Sequence, residues 1–210
     1  MGAFSRLGKN TAIIMVGNTS SKLIVLLMLP LYTNWLSVKE YGTTDIISVY
    51  SSLLFGVVSG CIADAIFVIP KGVDKNTKKK YFTSGLCFLM IASVITFCIF
   101  LILHQIFNCY NVVNSFSDNM FYIYAILLSS VLFAYIQQFT RAIDKILVYS
   151  FSGVVITITT FLYSFLLIPN YGVKGFVIVT ILSNVSGIIF NVFVTSLYRY
   201  FKFSYFKKRK

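Results

Sequence analysis

The segment Phe82–Leu103 reads FTSGLCFLMIASVITFCIFLIL and contains no charged side chain in 22 residues. A helix needs about 20 mostly apolar residues to cross the hydrocarbon core of a bilayer. A strand of a membrane barrel is instead shorter and alternates apolar with polar residues. The segment therefore predicts a transmembrane helix. We accordingly expect the surroundings of the chain to be a lipid bilayer and not water.

The composition of the whole chain supports that interpretation. Of its 210 residues, 58% are hydrophobic and 11% are charged, whereas a soluble domain carries about 25% charged residues. This composition excludes an ordinary soluble enzyme, and it excludes a disordered protein, which would have low hydrophobicity. The net charge of +12 indicates basic loops that face anionic lipid headgroups. We therefore predict anionic membrane lipids as partners and no nucleic acid.

The residues that could hold a metal ion or catalyse a reaction are few and scattered. The four cysteines, Cys61, Cys87, Cys98 and Cys109, show no C-x-x-C spacing, and His104 is the single histidine. Such cysteines in apolar runs usually behave as small hydrophobic residues. The few carboxylates are not clustered into an acid–base constellation. We predict that the protein is not an enzyme and binds no cofactor or metal.

Six stretches are long and apolar enough to cross a bilayer, and short connections between them leave no room for a separate domain. We predict an all-α integral membrane protein, a single membrane domain folded as a six-helix bundle over residues 1–210. The predicted spans are Ala12–Leu36, Ile46–Ile69, Phe82–Leu103, Met120–Phe139, Ile146–Ile168 and Gly175–Tyr198.

The loop charges predict an orientation for these spans. One side of the membrane collects fifteen Lys and Arg residues and the other side has two, with Lys22 inside the first span. Because cytoplasmic loops carry the excess of Lys and Arg, both termini are predicted to be cytoplasmic. The polar residues 17–22 interrupt the first apolar run, so we interpret it as an uncleaved anchor rather than a signal peptide.

Polar residues inside the spans are the candidate binding residues. An ionisable side chain at the centre of a span costs about 2.5–3.5 kcal/mol and usually faces protein or water. Lys22 shares a small, polar helix face with Asn18 and Ser21, about 15 Å into the first span. We favour a water-filled lumen over snorkelling for Lys22. Three roles stay open for Asp64, in the second span. It could form an ion pair, lie at a water-filled entrance, or bind a ligand.

Two further observations concern helix faces. Gln138 and Arg141 lie on one face near the end of the fourth span, and we include them among the candidate substrate-binding residues. Stripes of Ser, Thr and Gly run along the second, fifth and sixth spans. We interpret these stripes mainly as helix-packing surfaces, and Gly56-x-x-x-Gly60 predicts the close approach of a neighbouring helix.

Two stretches resemble a known family. Leu29–Ser37 reads LPLYTNWLS and is followed by Glu40-Tyr41-Gly42, and Ile168–Gly175 reads IPNYGVKG. Both are similar to the polysaccharide biosynthesis, or oligosaccharide flippase, family. That family belongs to the superfamily of the multidrug and toxic-compound extrusion (MATE) transporters. The order and spacing of the spans match over nearly the whole chain.

The resemblance implies a fold and a function. Family members generally have two six-helix lobes around a central cavity, and this chain resembles the amino-terminal lobe alone. The implied function is a flippase that moves lipid-diphosphate-linked oligosaccharide across the bacterial cytoplasmic membrane for surface polysaccharide such as lipopolysaccharide or capsule. The facing wall would come from a second six-helix half or from a homodimer. Lys22 could neutralise the diphosphate.

Two alternatives remain open. A MATE-like drug or cation antiporter would need acidic residues deep in the lobe, and only Asp64 is available. The chain could also be a truncated product that is inactive alone, because alternating access requires two bundles that move against each other.

Overall fold

The computed structural model describes residue 26 and residues 28–70, 72–110 and 114–200. Nearly all of these residues are helical, and none of them forms a strand. The predicted all-helical fold class is therefore confirmed for this part of the chain. Three predicted site residues, Asn18, Ser21 and Lys22, lie outside the described residues, as does most of the first predicted span.

The helices follow one another with short connections. The first described helix, α1, covers residues 28–35. Four of the described helices are long and apolar enough to cross a membrane, which indicates a membrane protein. The further elements are α2 (Val38–Ser59), α3 (Ile62–Val68), α4 (Lys75–Cys109), α5 (Ser115–Ala142), α6 (Ile146–Thr195) and a 3-10 turn at Leu197–Tyr200.

The 50-residue α6 is a hairpin of two helical arms. At Gly172 the backbone has φ 52° and ψ −126°, far from helical values. A Cβ on Gly175 would stand 2.5 Å from the carbonyl oxygen of Leu167, whereas residues eight apart in a straight helix are separated by about 12 Å. The chain therefore reverses at Gly172, which lies between the predicted fifth span, Ile146–Ile168, and the predicted sixth span, Gly175–Tyr198. The first arm covers residues 146–171 and the second covers 173–195.

The segment predicted as the second span differs from the structure. We expected one continuous helix over Ile46–Ile69, but α2 begins eight residues earlier and ends at Ser59. Gly60 and Cys61 follow with φ values of 51° and 56°. Two successive left-handed residues cannot continue a right-handed helix, so the chain changes direction and α3 starts as a separate short helix.

Local capping explains why two helices begin earlier than predicted. The side chain of Ser37 accepts a hydrogen bond from the backbone N–H of Glu40, and Glu40 accepts one from the backbone N–H of Ser37. This capping box stabilises the first turn of α2. Asp74 caps α4 in a similar way by accepting from the N–H groups of Asn76 and Thr77. The lysine-rich segment before Phe82, which lies outside the predicted spans, is therefore helical from Lys75.

Helix α5 lies at the centre of the bundle and packs against α2, α3, α4 and α6. At its carboxyl end, Tyr135 and Phe139 are completely buried and pack against Phe82 at the start of α4. At its amino end, Met120 and Ile123 pack in a second core cluster with residues of α2, α4 and the second arm of α6. The first cluster therefore brings the carboxyl end of α5 beside the amino end of α4. The second brings the amino end of α5 beside the carboxyl half of α4.

The charged residues divide unequally between these ends. Among the described residues, the end that holds the α3–α4 and α5–α6 connections has seven Lys and Arg and three Asp. We call it the basic end. The opposite end has two lysines and three acidic residues. The cations of the basic end are Lys75, Lys78, Lys79, Lys80, Arg141, Lys145 and Arg199.

Candidate functional site

A pocket opens between α2, α5 and the second arm of α6. Its volume is about 340 Å³. Ser48 is the eleventh of the 22 residues of α2, so the pocket opens beside the middle of a helix that is long and apolar enough to cross a membrane. The residues that line it are Ser48, Ser51, Ser52, Phe55, Ile126, Ser130, Phe176 and Thr180. Five of these eight side chains carry a hydroxyl group, and none is charged.

Four of the five hydroxyl groups have already donated their proton to a carbonyl oxygen of their own helix. The donors are Ser48, Ser51, Ser52 and Thr180, at 2.7–2.9 Å from carbonyls three or four residues earlier. A hydroxyl has one proton and two acceptor lone pairs, so each of these four presents an acceptor to the pocket. A ligand that bonds to these four hydroxyls must therefore supply donors.

The fifth hydroxyl, that of Ser130, accepts a hydrogen bond from a buried amide. The Nδ2 atom of Asn184 donates to the hydroxyl oxygens of Ser129 at 3.0 Å and Ser130 at 3.1 Å. Asn184 and Ser129 are both buried between α5 and the second arm of α6. Because Ser130 accepts from Asn184, its own proton remains available to the pocket.

The structure corrects our interpretation of the small-residue stripes. We interpreted Ser48, Ser52, Gly56 and Gly60 as one helix-packing surface, but Ser48 and Ser52 line the pocket. No described atom lies within 4 Å of where a Cβ on Gly56 would stand, whereas a Cβ on Gly60 would stand 3.3 Å from the ring of Phe88, on α4. In the sixth span, a Cβ on Gly187 would stand 2.7 Å from Ile156. The packing interpretation is confirmed at that position.

The structure places three predicted site residues together at the basic end. The Nε2 atom of Gln138, on α5, lies 3.5 Å from a carboxylate oxygen of Asp64, on α3. The guanidinium of Arg141, one turn further along α5, lies 3.9 Å from the ring centroid of Phe67. It also lies 5.4 Å from the ring centroid of Tyr149, on α6. We call these five residues the Arg141 cluster.

Sequence reasoning missed other polar residues near this cluster. Gln137 donates from Nε2 to the hydroxyl of Ser152 at 2.9 Å and to the carbonyl of Tyr149 at 3.3 Å. The signal for Gln137 was its polar side chain next to Gln138 in an apolar span.

The pocket-lining residues Ser130 and Thr180 carried no comparable signal, because a single hydroxyl on a membrane helix commonly bonds its own backbone.

The described residues include no group of three or more His, Cys, Asp or Glu side chains that could hold a metal ion. All four cysteines are free thiols.

Comparison with protein-family models, with curated proteins and with solved structures finds no match to this chain. The pocket and the Arg141 cluster are therefore the features of the molecule that indicate its function.

Proposed function

We propose that this chain is a membrane transport protein, a flippase lobe that moves lipid-diphosphate-linked oligosaccharides across a membrane. The single observation that carries the proposal is the hydroxyl-lined pocket beside the middle of α2. The pocket supports transport because the sugars of such a lipid do not dissolve in hydrocarbon and need hydrogen-bonding partners on their way across. The family resemblance of the two quoted sequence stretches agrees with this function.

The chemistry of the pocket suits uncharged sugars. A hydroxyl moved from water into an apolar medium without a partner costs roughly 2–7 kcal/mol. Sugar hydroxyls can donate to the acceptor lone pairs of Ser48, Ser52 and Thr180, and they can accept from Ser130. A pocket of about 340 Å³ has the volume of a small-molecule site. It would lower the cost of carrying one or two sugar rings past the membrane centre.

The same lining argues against the drug or cation antiporter. An antiporter needs an acidic side chain that exchanges a proton or cation within the lobe. None of the eight lining residues is acidic, and Asp64 lies at the basic end rather than beside the pocket.

A single six-helix lobe would form only one wall of a transport cavity. We propose that a second copy of this chain or a second six-helix half forms the facing wall. The pocket would then face the partner, and the polar groups at its rim would not be exposed to lipid. Alternating access would come from movement of one bundle against the other.

Transport can be measured in proteoliposomes that contain several copies of the chain per vesicle. A lipid-diphosphate-linked oligosaccharide is placed in one leaflet, and its arrival in the other is measured with a membrane-impermeant glycosidase. We expect the chain to accelerate this movement relative to protein-free vesicles. A rate equal to that of protein-free vesicles would overturn the proposal.

Matched variants test whether the pocket is responsible. Ser52→Ala together with Thr180→Val removes two lining hydroxyls, and we expect a rate about tenfold lower, from roughly 0.5–1.5 kcal/mol per hydrogen bond. Ser186→Ala is the control, because Ser186 donates to the carbonyl of Leu182 at 2.8 Å in the same manner but does not line the pocket. Equal effects of the pocket and control variants would show that the pocket does not bind the sugar.

A further inference from the structure

The Arg141 cluster contains an arginine whose position is set by aromatic rings. Its guanidinium lies over the ring of Phe67 at 3.9 Å and near the ring of Tyr149 at 5.4 Å. Arg141, Phe67 and Tyr149 belong to α5, α3 and α6, so three elements meet at this side chain. Cation–π contacts of this kind are attractive when a guanidinium lies within about 6 Å of a ring centroid. They restrict the orientation of the guanidinium plane without using its N–H groups.

The hydrogen-bond donors of Arg141 remain unused within the described part of the chain. No hydrogen bond or ion pair joins its guanidinium to another described residue, although the side chain is half-buried. Arginine has five N–H donors in a planar fork, and this fork matches the oxygens of a phosphate group. A half-buried guanidinium that is oriented by rings, and whose donors no described residue occupies, is therefore prepared to bind an anion.

The charged neighbours of Arg141 influence what it can bind. Asp64 is the acidic member of the cluster, and its carboxylate is bonded by Gln138 rather than by Arg141. Asp144 and Lys145 follow in the short connection after α5. Tyr149 and Phe67 present only their rings to the guanidinium. The basic end as a whole carries an excess of cations, so an anionic headgroup is attracted to it.

We propose that Arg141 forms a phosphate-binding site at the basic end of the bundle, which holds the headgroup of a phosphate-bearing lipid. Phe67 and Tyr149 orient the guanidinium, and Asp64 limits the affinity by its negative charge. The phosphate can come from an anionic phospholipid or from a lipid diphosphate. The site is proposed for the phosphate itself and holds whether or not the chain transports oligosaccharides.

One geometric relation connects this site to the pocket, and it alone rests on the proposed function. Arg141 follows Ser130 by 11 residues on α5, which is three helical turns, or about 16 Å on the same helix face. A lipid diphosphate bound at Arg141 would therefore have its attached sugars within reach of the pocket.

Binding is measured with the purified full-length chain in detergent, by native mass spectrometry with titrated lipids. The probes are phosphatidic acid, polyprenyl diphosphate and phosphatidylcholine, whose phosphate is covered by a choline cation. We expect the first two to bind about tenfold or more tightly than phosphatidylcholine, as a charge-assisted hydrogen-bonded pair predicts. Tighter binding of polyprenyl diphosphate identifies a lipid diphosphate as the ligand, and tighter binding of phosphatidic acid identifies a phospholipid. Equal binding of all three lipids would overturn the proposal.

Three variants distinguish binding at Arg141 from general electrostatic attraction to the basic end. Arg141→Gln is expected to lower the affinity for the phosphate lipids to that for phosphatidylcholine. Arg141→Lys is expected to retain only part of the preference, because lysine lacks the planar fork; it also serves if the Gln variant does not fold. Arg199→Gln is the matched control. Arg199 lies at the same end, and its guanidinium is 5.6 Å from the ring of its neighbour Tyr198.

Asp64 supplies an independent criterion. Asp64→Asn replaces the carboxylate with an amide of similar size and so removes the negative charge. We therefore expect severalfold tighter binding of phosphatidic acid. The proposal would be overturned if Asp64→Asn weakened binding, or if Arg141→Gln and Arg199→Gln weakened it equally. Failure of the oligosaccharide transport assay with these binding results intact would overturn the proposed function but not the phosphate site.

Discussion

Replacing Gly175 with alanine tests the hairpin of α6 at its closest backbone contact. The new Cβ would stand 2.5 Å from the carbonyl oxygen of Leu167 and 3.0 Å from the Cα of Ile168. Both neighbours are backbone atoms in the facing arm, so no side-chain rotation can remove the overlap. The two arms would have to move apart near the turn.

The size of the effect follows from this geometry. Overpacking of a well-packed interior costs about 1–3 kcal/mol, and we expect Gly175→Ala to lie at the upper end because backbone must move. Ile168 is completely buried beside this contact, and separating the arms would loosen its packing as well. The gain in helix propensity from Gly to Ala is about 1 kcal/mol and does not compensate.

The measurement is the free energy of unfolding in mixed detergent micelles, followed by helical circular dichroism. Gly56→Ala is the matched control, because no described atom lies within 4 Å of the new Cβ and the residue is also helical. We expect Gly56→Ala to be neutral or slightly stabilising. If Gly175→Ala were as stable as Gly56→Ala, the hairpin packing described for α6 would be refuted.

Two further predictions concern the amino-terminal part of α4. Tyr135→Phe removes a buried hydroxyl that donates to the carbonyl oxygen of Phe82 at 2.6 Å, and we expect a loss of about 1–2 kcal/mol in the free energy of unfolding. The same change at the exposed Tyr110 should have no effect, and equal losses at both positions would contradict the role of the hydrogen bond. The hydrogen bond from the hydroxyl of Thr77 holds the pKa of Asp74 below its ordinary value. Because the folded pKa is lowered, the cap should stabilise the start of α4 fully above the ordinary aspartate pKa of about 4, and lose this effect as the pH falls through the folded pKa. Hydrogen exchange of the first turn of α4, compared at each pH with Asp74→Asn, which caps without titrating, should show the change only in the unmodified protein. Identical pH dependence in both proteins would exclude this account of the cap.

Much of the fold was predictable because its determinants are local. The continuous apolar runs predict helices of membrane length, since the backbone in lipid must satisfy its own hydrogen bonds. The turn residues 169–172 predict the reversal inside α6, and the structure has its non-helical residue at Gly172. The helix starts after Ser37 and Asp74 are also encoded locally by capping residues. The predicted spans nevertheless begin only at Ile46 and Phe82, because they follow the apolar runs and not the polar first turns.

The candidate site was less predictable because it joins distant parts of the chain. Asp64 and Gln138 were each identified as polar residues in a span, but their contact joins residues 74 positions apart. The left-handed pair at Gly60 and Cys61 had no clear signal, since cysteine rarely adopts a positive φ. If α2 continued through this segment as one helix, Asp64 would lie at a different position relative to α5.

The sequence alone determined that this chain is helical, that its solvent is lipid, and that its cations gather outside the apolar runs, because each property depends on local hydrophobicity and charge. Only the tertiary structure decided which polar side chains meet. Ser48 and Ser52 became lining residues because α5 and the second arm of α6 bring Ser130 and Thr180 beside them. Arg141 acquired aromatic neighbours in the same way, because a contact between helices depends on how they pack and not on their separate periodicities.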